Sequence, residues 1–134
     1  MIRDYNSLKE TVQCLSEAGI VVSLFVDAEI ETIVACKDIG APVIELHTGA
    51  YCDAGPNDRA VIMEKLIRGA DHAHELGLGV NAGHGINLEN LGGILCIPHL
   101  DTLNIGHSII CRSVFQGLGE AVGEMLVAMQ DYDE

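Results

Sequence analysis

Basic residues are scarce in this chain. Seven Lys and Arg stand against twenty Asp and Glu, for a formal net charge of −13. Nucleic-acid phosphates demand a basic surface, so that class of partner is excluded. Small phosphorylated ligands stay open, because backbone N–H groups at helix N-termini bind them without net positive charge. Long apolar runs are also missing: none reaches the roughly 18 residues of a membrane span. The opening Met1-Ile2-Arg3-Asp4-Tyr5 has no signal-peptide h-region, and the expectation is a soluble, cytoplasmic protein. The five cysteines (Cys14, Cys36, Cys52, Cys96 and Cys111) are odd in number and form no CxxC. A disulfide framework is therefore not expected, and a reducing compartment fits better. No linker or low-complexity tract divides residues 1–134, which read as a single domain.

What is present is a regular alternation. Hydrophobic residues make up 49% of the 134, enough for one packed core. Ser7 to Ala18 has helical periodicity, with Leu8, Val12 and Leu15 on one face and Gly19 as its stop. Val21 to Val26 is a near-continuous apolar run, typical of a parallel strand buried on both sides. Asp27 is placed to cap a helix that runs to about Asp38 and ends at Gly40. A second strand spans Pro42 to His47, and Thr48 to Pro56 reads as a long loop. Asn57 or Asp58 then caps the longest helix, with Ile62, Leu66, Ala70 and Ala73 inward and Gly77 as its stop. Val80 to Ala82 is a third strand, and Asn87 caps a short helix through Leu95. Leu103 to Ile105 is a fourth strand. It leads to helices over Ser108 to Phe115 and Gly117 to Gln130, the second with Leu118, Val122, Met125 and Met129 inward. The tail Asp131 to Glu134 reads as frayed. One helix followed by four strand–helix units predicts an α/β fold with a parallel sheet, the equivalent of half a (β/α)₈ barrel.

The chemistry-bearing residues cluster at the C-terminal ends of those strands. Val80-Asn81-Ala82-Gly83-His84-Gly85-Ile86-Asn87 sets a histidine between two glycines just after a strand. Glycine lets backbone approach a ligand closely, and histidine moves protons near neutral pH. The pattern returns as Leu103-Asn104-Ile105-Gly106-His107-Ser108. Glu45 alternates with Ile44 and Leu46, and a glutamate in such a strand asks for a partner or a ligand, with a structural ion pair as the plain alternative. His47 shares the face of Glu45 by period two, as either a site residue or a supporting one. Barrel enzymes keep their chemistry at such strand ends, often with a phosphate at the N-terminus of a short helix after the last two strands.

In this order, Glu45-Leu46-His47-Thr48-Gly49, Asn81-Ala82-Gly83-His84-Gly85 and Asn104-Ile105-Gly106-His107 resemble the C-terminal half of pyridoxine 5′-phosphate synthase, and Val22-Ser23-Leu24-Phe25-Val26-Asp27-Ala28 agrees. The likeness runs from about Leu8 to Met129. It implies half of a TIM barrel and a ring-forming transferase of vitamin B6 biosynthesis. That enzyme condenses 3-amino-2-oxopropyl phosphate with 1-deoxy-D-xylulose 5-phosphate, giving pyridoxine 5′-phosphate, phosphate and water. By this resemblance His84 is the proton donor and a substrate contact, and Glu45 stabilises transition states. Gly85, Gly106 and His107 are further substrate contacts. No cofactor and no metal are implied. The family's N-terminal half supplies another histidine, a glutamate and phosphate-binding arginines, and its segments do not occur in this sequence. The implied partners are the small phosphorylated substrates and either the missing half or a second copy, with a homo-oligomer expected. The isolated chain is expected to be nearly inactive.

Other residues have plainer readings. Cys14 and Cys36 sit on apolar helix faces as small core residues. Cys52 lies near the site with no histidine beside it by spacing. His72 and His74, two apart on a helix, face different sides. His99 reads as a solvated turn residue. Three histidines plus Glu45 near strand ends could imitate a zinc site, but no pair has ligand spacing. The non-enzymatic alternative is a half-barrel kept as an assembly module. Retention of Glu45 and His84 weighs against it.

Overall fold

A computed structural model describes residues 4–130, so the expectations for Met1 to Arg3 and for the tail from Asp131 lie outside it. Helix α1 (Tyr5–Glu17) precedes four strand–helix units. These are β1 (Ser23–Val26) with α2 (Ile30–Ile39), and β2 (Val43–His47) with α3 (Gly49–Asp53) and α4 (Pro56–Glu75). Then come β3 (Gly79–Gly83) with α5 (Leu91–Ile94), and β4 (Leu100–Asn104) with α6 (His107–Gln116) and α7 (Leu118–Ala128). The four strands pair in parallel in the order β1-β2-β3-β4. The expected α/β class and the four parallel strands with flanking helices are both observed.

The stops at Gly40 and Gly77 have a clear cause. Both adopt positive φ, 95° and 70°, which a Cβ would oppose. Each donates its N–H back three residues (to Lys37 O and His74 O), while Ala41 and Leu78 donate back five, to Cys36 O and Ala73 O. That pairing satisfies the last free carbonyls of α2 and α4.

The two faces of the sheet differ. Ile44, Leu46, Val80 and Ala82 point toward the helices and are at most 1% exposed. They pack with Ile33 of α2, Leu66, Ala70 and Ala73 of α4, and Leu91 and Ile94 of α5. A smaller cluster of Val12, Ile39 and Ala41 seats α1. On the other face Phe25, Glu45, Asn81 and Thr102 lie in register across the four strands. Phe25 there is 54% exposed, because among the described residues no layer covers that face. The expectation that the first strand is buried on both sides is corrected accordingly: Val21 is also exposed, and regular pairing begins only at Ser23.

Several boundaries move for physical reasons. Helix α2 starts at Ile30 after Glu29, so Asp27 is not its cap. Helix α4 starts at Pro56 after Gly55, ahead of Asn57 and Asp58, because proline is pre-shaped for the first helical turn. The expected loop from Thr48 contains the short helix α3. Helix α5 starts at Leu91 after Asn90, so Asn87 is not its cap; the Asn87 Oδ1 instead accepts from the N–H groups of Glu89 (2.9 Å) and Asn90 (3.1 Å) in the turn ahead of the helix. On α7 only Met125 of the four expected inward residues is fully buried, together with Ala121. Leu118 and Val122 are exposed. Cys36 is buried as expected, but Cys14 is exposed.

Candidate functional site

One cavity of about 510 Å³ opens at the C-terminal ends of the strands. That lies within the range of small-ligand sites. Glu45 of β2, His84 and Gly85 after β3, and Gly106 and His107 after β4 all line it, with Phe25, Ile86, Asn87, Asn104, Ile105 and Ser108. The sequence-predicted residues therefore share one hollow, on loops that the parallel register brings side by side.

His84 is held through its backbone. Its φ is 80°, a left-handed conformation that non-glycine residues rarely adopt and that costs on the order of 1–3 kcal/mol. The surroundings enforce it. The buried Thr48 hydroxyl lies 2.7 Å from both the Gly83 and the His84 carbonyl oxygens, and Thr48 N–H donates to Gly83 O at 2.9 Å. Asn90 Nδ2 donates to Gly85 O at 3.0 Å. The Cys52 thiol points at His84 O, 3.6 Å away. Burial, aided by the nearby Asp53 charge, pushes that thiol's pKa up against the opposing effects of Thr48 and Arg59. That direction favours the neutral thiol, which is the form that donates to the loop carbonyl.

Glu45 finds an amide rather than an ion partner. Asn104 Nδ2 donates to its Oε2 at 2.7 Å, across two strands. The other oxygen lies over Gly83, where an added Cβ would sit 2.1 Å from Oε1. A side chain at position 83 would expel the carboxylate from this position. The structural ion pair considered for Glu45 is not formed among the described residues.

His107 opens α6, with Gly106 before it. Cys111 Sγ lies 3.4 Å from His107 Nε2. Ser108 donates to Ile86 O at 2.7 Å, tying the His107 loop to the His84 loop. His107 and Ser108 of the first turn of α6 line the cavity, and the first N–H groups of a helix have no partner within it, a setting suited to an anion. No Lys or Arg is among the residues lining the cavity.

Two residues read as incidental prove connected. Asp27 meets His47: Oδ1 and Nδ1 are 3.0 Å apart. His99 is not simply solvated. It stacks on His74 with centroids 3.8 Å apart and pairs with Asp71 at 3.3 Å, far from the cavity. Asn104 was visible in its motif, but its partnership with Glu45 depends on strand register and left no local signal. Among the described residues, no group of three or more His, Cys, Asp or Glu side chains is arranged to hold a metal ion. No helix there is long and apolar enough to cross a membrane.

Comparison with known proteins agrees with this picture. Residues 1–131 match the family described as pyridoxal phosphate biosynthesis protein PdxJ. The pyridoxine 5′-phosphate synthase of Thioalkalivibrio sulfidiphilus is 50% identical over 123 residues, 91% of this chain and 50% of that protein. Its counterpart in Opitutus terrae is 48% identical over 124 residues, and that in Neisseria meningitidis 45% over 130. Those matches cover 91% and 96% of this chain, and 50% and 54% of the relatives. The chain spans about half the length of the curated relatives it matches.

Proposed function

This chain belongs to the PdxJ family of pyridoxal phosphate biosynthesis proteins, and on that premise we propose that it forms the C-terminal half of a pyridoxine 5′-phosphate synthase barrel. Its substrates are then 3-amino-2-oxopropyl phosphate and 1-deoxy-D-xylulose 5-phosphate. The supporting observation is the shared hollow: Glu45, His84, Gly85, Gly106 and His107, drawn from three separate strand ends, line one cavity.

The roles follow from the chemistry. Ring closure requires imine formation and the loss of phosphate and water, and each step needs a proton delivered or taken up. A positioned acid or base contributes typically about 10²–10⁴-fold to such a step. His84 is the proton donor, held in place by the Thr48 clamp on its backbone. Glu45, oriented by Asn104, faces positive charge developing on an iminium nitrogen. Gly85 borders the place of the amino-ketone substrate with its backbone, and it is a glycine because a Cβ there would stand 2.8 Å from Cys52 Cβ. Gly106 and His107 offer its phosphate the N-terminus of α6.

Among the described residues no Lys or Arg lines the cavity, and two phosphorylated substrates bring several negative charges. A second polypeptide segment supplies the balancing cations. It also covers the open sheet face that carries Phe25. The occupant is the complementary half of the barrel or, as the second possibility, another copy of this chain, and the finished protein is an oligomer acting in the cytoplasm.

The test is turnover in an assembly completed by the half of a curated relative that this chain does not match. His84→Gln and Glu45→Gln should each lower kcat by about 10²–10⁴-fold with the fold intact. Full activity in His84→Gln would refute the assignment.

A further inference from the structure

Three rings meet at the mouth of the site. Phe25 and His47 have centroids 5.0 Å apart at 60°, and His47 and His84 have centroids 5.0 Å apart at 71°. Behind them Asp27 Oδ1 lies 3.0 Å from His47 Nδ1. An ionised carboxylate only accepts, so His47 carries its proton on Nδ1. Gly49 makes the crowding possible. A Cβ there would stand 2.6 Å from His47 Nε2 and 2.8 Å from His84 Cδ2.

The His84 ring needs such support. Thr48 and Cys52 grip only its carbonyl, and among the described residues nothing hydrogen-bonds its imidazole. A ring free to rotate would be a poor proton donor, because catalysis by a positioned group depends on narrow geometry. We propose that Asp27 and His47 are positioning residues for His84: Asp27 locks the His47 ring, and the edge-to-face contact of that ring sets the orientation of the His84 imidazole. This rests on the reading of His84 as the proton donor. His47 itself does not line the cavity. Stability is a weak alternative explanation for the pair. The Asp27 side chain is 73% exposed, and solvent-exposed contacts of that kind add little to stability.

The test uses the whole chain labelled with ¹⁵N and long-range ¹H–¹⁵N imidazole correlations, at a pH above the ordinary histidine range. The Nδ1–H tautomer of His47 should dominate. Asp27→Ala should abolish that dominance and shift the His84 ring signals, while the His107 ring and the backbone amides away from the pair stay in place. Asp27→Asn, whose amide oxygen still accepts from Nδ1–H, should restore most of the native pattern. Unchanged His84 signals in Asp27→Ala would overturn the proposal, as would an equal shift of His107 or the absence of rescue by asparagine. The readout requires no turnover, so a failure of this ring coupling is told apart from a failure of the synthase reading, which turnover tests.

Discussion

Glu45 sits in an open, half-exposed position, and what fixes its direction is one amide. Asn104 donates at 2.7 Å to a charged acceptor, a class of hydrogen bond worth about 1.5–3 kcal/mol. Asn104→Ala should leave the fold intact and lower kcat in a completed assembly by about tenfold or more, but less than Glu45→Gln does. Steady-state kinetics on both variants checks the order, and equal or greater activity in Asn104→Ala would contradict it. The residues flanked by glycine, His84 and His107, could be read from local sequence, because Gly-His at a strand end is a local signal. The partners of Glu45 and His47 could not. Asn104 is 59 positions from Glu45, and Asp27 is 20 from His47. Only the register of β2 between β1 and β3, and of β3 against β4, brings them together. Asp27 also fits the plainer role of a cap, and in the structure Glu29 takes that place.

The helices hold the site by packing on the buried sheet face. Gly69 of α4 shows how tight that is, since an added Cβ would lie 2.9 Å from Ala28 Cβ. Gly69→Ala should cost about 1–3 kcal/mol by overpacking, more than helix propensity returns, and denaturant unfolding measures it. Unchanged or raised stability would show that α4 yields easily. The α6–α7 pair is joined by polar contacts: Arg112 and Gln116 both bind the Glu124 carboxylate. The hydrogen bond from Arg112, then that from Gln116, holds the Glu124 carboxyl below its ordinary value. A lowered folded-state pKa stabilises above the unfolded value and is lost as pH falls through the folded one. Acidification below the ordinary glutamate range should therefore loosen this pair in the native chain. Glu124→Gln should show a flatter loss of stability across that window, followed by unfolding at a series of pH values. Helix positions were legible from periodicity and from the glycine stops. The inward set of α7 was not, because its apolar residues ring much of the helix: Leu118, Val122, Leu126 and Val127 are exposed while Ala121 and Met125 are buried.

At the scale of the molecule, the helices bury one side of the sheet, and among the described residues no layer covers the other. Phe25, Val114 and Phe115 are 54%, 76% and 91% exposed. Uncovered apolar surface favours association. Light scattering on the purified chain should show a mass that rises with concentration, whereas a strict monomer at all concentrations would speak against an unfilled partner surface. Four βα units could be counted from the spacing of apolar runs. Which face lacked a cover could not, because a parallel strand reads as apolar whether one side or both are packed. The most direct measurement is pyridoxine 5′-phosphate formation from the two phosphorylated substrates. It is made on this chain alone, and then on this chain mixed with the unmatched half of a curated relative. Little or no product should form with the chain alone, and product should appear on mixing. Turnover by the chain alone at the rate of a full-length synthase would show that no second segment is needed.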